Sequence, residues 1–178
     1  FDFVLCKEAY HHFPRPHIAL HEMLRVCKIG VVLMEPNDAL IDGAPLSFIV
    51  TIIKRLLRRK SNSSGHDFEP VGNYVFSISS RELEKFQLGM HRRFLAYKHI
   101  NDYYESGFEF IHLNTSRKSE KFKIFKTKVL ISLRSFMVRL GLLAPSLKIA
   151  ILFKNHPDEK LLATLKSYGW QIKKSCRE

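Results

Sequence analysis

Four consecutive apolar residues, Phe3-Val4-Leu5-Cys6, open the chain without alternation, as in a strand buried on both faces. A polar loop, KEAYHHF, follows, and Pro14 and Pro16 then suit the first turn of a helix, where no backbone donor is needed. Leu20, Met23, Leu24 and Cys27 recur at three- and four-residue steps, so one helical face can pack on a sheet, and Gly30 ends that helix. A second apolar run, Val31-Val32-Leu33-Met34, stops at Glu35-Pro36, because proline cannot donate to a ladder in a central strand. Residues 1–38 therefore predict one strand-helix-strand unit with parallel strands, joined by a right-handed crossover.

Further along, Ser79-Ser80-Arg81-Glu82 reads as a capping box opening a helix that runs to about Gly89. RFLAY from Arg93 is a candidate strand and KIAILFK from Lys148 a better one. Between residues 157 and 168 an amphipathic helix is expected, ended by Gly169 and followed by a strand from Trp170. Ser61-Asn62-Ser63-Ser64-Gly65 reads as a flexible connector. Residues 39–73 and 108–145 stand outside this plan as helical insertions, and residues 146–175 form a C-terminal strand-helix-strand.

Charge sharpens the view of the insertions. The net charge is +12, and residues 54–60 (KRLLRRK) with residues 117–139 carry all of it. Ile49, Ile52, Ile53, Leu56 and Leu57 form one helical stripe beside cations; Phe122, Phe125, Val129, Leu133, Phe136 and Leu140 form another. Two expectations attach to these basic amphipathic helices. In one, their apolar faces close over the domain as a lid; in the other, they touch an anionic membrane or acceptor. No nucleic-acid module is recognisable, and aromatics such as Phe122 and Phe125 are expected on the buried stripe, which argues against nucleic acid.

The residues of the first unit resemble a known family. FD followed by apolar residues and Cys6, the loop His11-His12, Pro14-x-Pro16, a helix ending Glu-Met-Leu-Arg-Val, a glycine and a strand closing in Glu35-Pro36-Asn37 are similar to the fourth and fifth strands of class I S-adenosylmethionine-dependent methyltransferases. The resemblance implies an α/β fold, the C-terminal portion of a Rossmann-like methyltransferase sheet with helical insertions. It does not reach the Gly-rich cofactor turn: the chain has eight glycines and no G-x-G. The chain is accordingly expected to be the acceptor-side part of a longer enzyme, with an open sheet edge where further strands belong.

In open α/β sheets ligands sit beyond the carboxyl ends of the strands. By resemblance, Cys6, Lys7 and Glu8 would border the methionine part of S-adenosylmethionine. Tyr10, His11 and His12 would lie near the transferred methyl group, and Tyr10, Glu35 and Asn37 would contact the acceptor. A histidine there could take a proton from an acceptor hydroxyl or amine, although His11 and His12 could equally serve only to cap and orient the following helix. The acceptor class so implied is a small molecule, a saccharide or a lipid-linked molecule. The alternative is a non-catalytic module whose basic helices bind an anionic partner. His17 and His21 with Glu22 give H-x-x-x-H-E, not the zinc-protease H-E-x-x-H, so no metal is expected. Cys6, Cys27 and Cys176 form no C-x-x-C pair; Cys6 and Cys27 are read as reduced core residues of a cytoplasmic protein, with peripheral membrane contact left open.

Overall fold

The computed structural model describes residues 1–58, 74–92, 94–102, 107–112 and 114–174. The Ser61–Gly65 connector, Arg93 and Cys176 lie outside the described residues.

Strand β1 (Phe3–Lys7) and strand β2 (Gly30–Pro36) are parallel neighbours, with Phe3 opposite Gly30 and Lys7 opposite Met34, and helix α1 (Pro16–Val26) crosses between them. Pro16 occupies the first turn of α1, as its fixed φ and missing donor favour. The helix stops at Val26, and Gly30 is not its terminator but the first residue of β2. A Cβ on Gly30 would lie 2.7 Å from the Leu152 carbonyl oxygen, so the close approach of the neighbouring strand requires glycine. The Lys154 ammonium donates to the carbonyls of Arg25 (3.0 Å) and Cys27 (2.7 Å), satisfying the open end of α1. β2 also continues through Glu35 to Pro36, where Pro36 pairs with Leu147 at the strand end.

Helix α2 (Pro45–Arg58) and helix α3 (Ser80–Gly89) come next; the Ser79 hydroxyl accepts the Glu82 amide at 3.0 Å, the predicted cap. Strand β3 (Phe94–Ile100), helix α4 (Lys118–Arg139), strand β4 (Leu147–Phe153), helix α5 (Glu159–Ser167) and strand β5 (Gln171–Lys174) complete the order. Gly169 takes φ +76 after α5, the left-handed turn expected of a helix end. The sheet order is β1-β2-β4-β3-β5, with every pair except β1-β2 antiparallel. This mixed α/β sheet with inserted helices is the portion of a Rossmann-like fold read from the chain.

One face of the sheet packs Val31, Leu33, Ala150, Leu152 and Leu95 against Leu20 and Leu24 of α1 and Leu83 of α3. On the other face Phe94, Ala96 and Phe153 meet Leu162 and Leu165 of α5. The expectation that β1 is buried on both faces fails: it is an edge strand, and Leu5 is 69% exposed. Its second face lies away from the α5 cluster, which forms over β3 and β4.

The lid expectation also fails. Ile49, Ile53 and Leu56 of α2 are exposed, as are Phe122, Phe125, Val129, Leu133, Phe136 and Leu140 of α4. Helix α4 has apolar residues on two sides, and the side carrying Ile124, Thr127, Leu130, Ile131 and Val138 is the one partly or fully covered. Asn101 Nδ2 donates to Ser135 Oγ at 3.2 Å on that same side. Phe122 and Phe125 are exposed and not buried as expected, so their position does not speak against nucleic acid.

The inserted segment after β2 is anchored by a buried ion pair. Lys148 of β4, fully buried, donates to Asp42 and, at 3.1 Å, to the Ile78 carbonyl, while Asp42 also accepts the Ser80 amide at 2.8 Å. Removing one partner strands the other's charge away from water. Asp42→Ala should cost about 3–5 kcal/mol in urea denaturation, and the double variant Asp42→Ala, Lys148→Met should recover at least about 1 kcal/mol of it. Equal loss in single and double variants would contradict the pairing.

Candidate functional site

The parallel strands β1 and β2 end side by side, and the chain leaves β1 through Glu8, whose φ of +48 places a non-glycine residue in the left-handed region. The Glu8 amide donates to the Met34 carbonyl at 2.8 Å, which holds the turn onto the β2 tip. A single 3₁₀ turn, Tyr10–His12, follows directly.

What shapes this turn is Glu35. The side chain is fully buried, on the sheet face covered by α1, and its carboxylate collects donors from the loop. Oε1 accepts the amides of Ala9 (3.1 Å) and Tyr10 (3.0 Å) and lies 3.7 Å from the Cys6 thiol; Oε2 accepts from His11 Nδ1 at 2.6 Å. A carboxylate out of water is tolerated only when its oxygens are met this way. Because both oxygens accept, the proton on His11 is assigned to Nδ1, and Nε2 is left as the basic nitrogen. His12 stacks on His11 with ring centroids 4.0 Å apart and is itself exposed.

The same carboxylate acts on its neighbours. Burial, then the negative charge of Glu35, pushes the Cys6 thiol up to about 11. Tyr10 is driven upward by burial and, behind it, by Glu82 and Glu35. Across the sheet from Glu35 stand Lys148 and then His99, in one register row of β2, β4 and β3. Burial lowers the affinity of Lys148 for its proton, with Asp42 opposing; burial and the Lys148 charge likewise lower His99. Near this row, Asn37 donates to the Pro145 carbonyl at 3.4 Å. The atoms Asn37 Oδ1 and His99 Nε2 are buried without a hydrogen-bond partner.

The residues picked out from the chain thus divide in two. Lys7, Glu8, His11 and His12 gather at the strand tips, with Lys7 Nζ 4.0 Å from Glu8 Oε2, both of those side chains about half exposed, His12 exposed and the His11 side chain only 10% exposed. Cys6, Tyr10, Glu35 and Asn37 are buried, so their side chains organise the site from below. The expectation that Tyr10 and Glu35 contact an acceptor gives way to this: Tyr10 packs edge-on against Phe13 in the core, and Glu35 is occupied by the loop. His17 pairs with Glu82 at 3.3 Å and stacks on Phe86, and His21 meets Phe86 edge-on, so both join α1 to α3. Among the described residues no group of three or more His, Cys, Asp or Glu is placed to hold a metal ion. A cavity of about 170 Å³, lined by His91, Arg92, Phe94, Lys154, Asn155 and His156, lies at the opposite end of the sheet from these tips. Asp42 and Lys148, missed in the sequence, frame the site because Asp42 follows β2 directly and reaches a residue far along the chain.

Residues 1–34 match the family model of a methyltransferase domain. The match covers the strand-helix-strand unit β1-α1-β2 and its loop, and methyl transfer is the chemistry that the family's description names. A search of curated proteins found no match.

The buried thiols give a direct check of the site. With its thiol at about 11, Cys6 should carry roughly a hundredfold less thiolate at pH 8 than a thiol at its ordinary value of 9.0. Iodoacetamide labelling of the native chain, read by peptide mass mapping, should leave Cys6 unmodified under conditions that label it after denaturation. Rapid native labelling of Cys6 would contradict the described packing.

Proposed function

We propose that the chain forms the acceptor side of a methyltransferase that moves a methyl group from S-adenosylmethionine to a hydroxyl or amine of a small-molecule, saccharide or lipid-linked acceptor. The observation that carries this reading is the Glu35 clamp, which holds the Tyr10–His12 turn at the strand tips inside a segment matched as a methyltransferase domain.

The residues at the tips fit the cofactor's chemistry in part. Lys7 and Glu8, opposite in charge and both accessible, complement the carboxylate and ammonium of a methionine moiety. S-adenosylmethionine, when bound, supplies an electrophilic methyl carbon on a positively charged sulfur. An acceptor hydroxyl or amine methylated there would have to give up its proton, and the chain's own part would be to hold the acceptor in place and to receive that proton. His11 is suited to that last role, because Glu35 holds its ring and leaves Nε2 to receive the proton. His12, exposed beside it, would contact the acceptor. Holding nucleophile and carbon in line supplies much of the acceleration, so the base adds to the rate without being the whole of it.

Methyl-transfer assays with radiolabelled S-adenosylmethionine test the assignment. His11→Ala should slow transfer by about tenfold or more, and Glu35→Gln should slow it while shifting the pH profile of the rate, since it alters the acceptor for the Nδ1 proton. Losses below about tenfold for both His11→Ala and His12→Ala would reject a base at this turn.

A further inference from the structure

Helix α4 turns its most apolar side to solvent. Phe122, Phe125, Val129, Leu133, Phe136 and Leu140 are each about half exposed or more, with Phe122 at 67% and Phe125 at 64%. Steps of three and four keep them within an arc of roughly 80°, and from Phe122 to Leu140 the stripe is about 27 Å long at about 1.5 Å per residue. Exposed cations border it: Lys118 and Lys126 lie close beside the stripe, and Lys121, Lys128 and Arg139 are about a quarter turn away on one side. The opposite side of α4 is already settled, with Thr127 buried and Ser135 bonded to Asn101, so the stripe is not in position to turn inward.

We propose that this stripe is a docking surface for an anionic lipid bilayer. The helix would lie in the plane of the interface, its Phe and Leu side chains among the acyl chains and its lysines at the headgroup phosphates, their long stems reaching up from the helix. Charge complementarity names the partner: cations flank an apolar band, as an anionic interface requires. A nucleic acid would call for aromatics interleaved with cations along a backbone track, whereas Val129, Leu133 and Leu140 offer bases no stacking face. Among the described residues no helix is long and apolar enough to cross a membrane, which agrees with a helix that rests on the surface. Helix α2 carries exposed apolar residues of its own. It starts beside the end of α4, where a Cβ on Gly141 would touch the Ala44 Cβ at 3.3 Å, and it exposes Ile49, Ile53 and Leu56. The inference does not depend on the methyl-transfer reading.

Flotation of the full chain with phosphatidylcholine vesicles, with and without about a third phosphatidylglycerol, tests it. Binding should be at least about tenfold stronger with the anionic lipid and should fall as salt rises. The triple variant Phe122→Ser, Phe125→Ser, Phe136→Ser should lose binding about tenfold or more. Unchanged emission of Trp170, which packs in the α5 cluster, would show that the variant is folded. Replacing Lys118, Lys121, Lys126 and Lys128 by Gln should remove the preference for anionic lipid. No flotation at low salt, equal binding to both vesicles, or wild-type binding by the folded Phe variant would each overturn the proposal. Oligonucleotide binding without flotation would overturn it in favour of nucleic acid. A dimer abolished by the Phe substitutions, again without flotation, would overturn it in favour of self-association.

Discussion

The carboxylate of Glu35 is the point on which the functional end of the sheet depends. Two amides and an imidazole converge on it from a loop more than twenty residues earlier in the chain, and none of these donors is used by a strand or helix ladder. Without Glu35, the Ala9 and Tyr10 amides and His11 Nδ1 would be left unmet beneath the turn, each a cost of roughly 1–3 kcal/mol. Burial first, and the same charge behind it, raise the nearby Cys6 thiol and Tyr10 phenol, so neither adds a second negative charge to the floor of the site. Burial that looks expensive for an acid is therefore what gives the loop a single conformation.

Seen along the sheet, Glu35, Lys148 and His99 form one register row, and the acid and base at its head take their partners from different segments. Glu35 fixes the loop after β1; Lys148, through Asp42 and Ile78, fixes the segments on either side of residues 59–73. Both anchors sit at the carboxyl ends of β1 and β2. Helix α2 leaves from the same place, so the exposed apolar bands start beside the candidate site. An acceptor that partitions into a bilayer would meet the site and the lipid surface together, a point of contact between two readings that stand independently.

Much of the fold was legible because its signals are local. The continuous apolar runs marked β1 and β2, Pro16 marked the start of α1, Ser79 the cap of α3, and Gly169 the end of α5. The site was legible only in outline. Position at the strand tips was enough to collect Lys7, Glu8, His11 and His12, but it also drew in Tyr10 and Glu35, whose roles depend on what folds over them. A lone acid at the end of an otherwise apolar strand was the signal that Glu35 is buried. Asp42 and Lys148 gave none, being 106 residues apart and joined only by the sheet. Glu8 gave none either, since nothing in a glutamate predicts a left-handed backbone. Helix α4 misled for a different reason: with apolar residues on two sides, its periodicity could not say which side faces the protein.

The most direct test of the account is ultraviolet crosslinking of S-adenosylmethionine carrying a radiolabelled methyl group to this chain, followed by peptide mapping. The account predicts that the label falls within residues 7–12, is suppressed by excess S-adenosylhomocysteine, and weakens when Glu35→Ala releases the loop. Label that maps elsewhere, or that excess S-adenosylhomocysteine does not suppress, would contradict the claim that the Glu35-held turn is the methyl-transfer site.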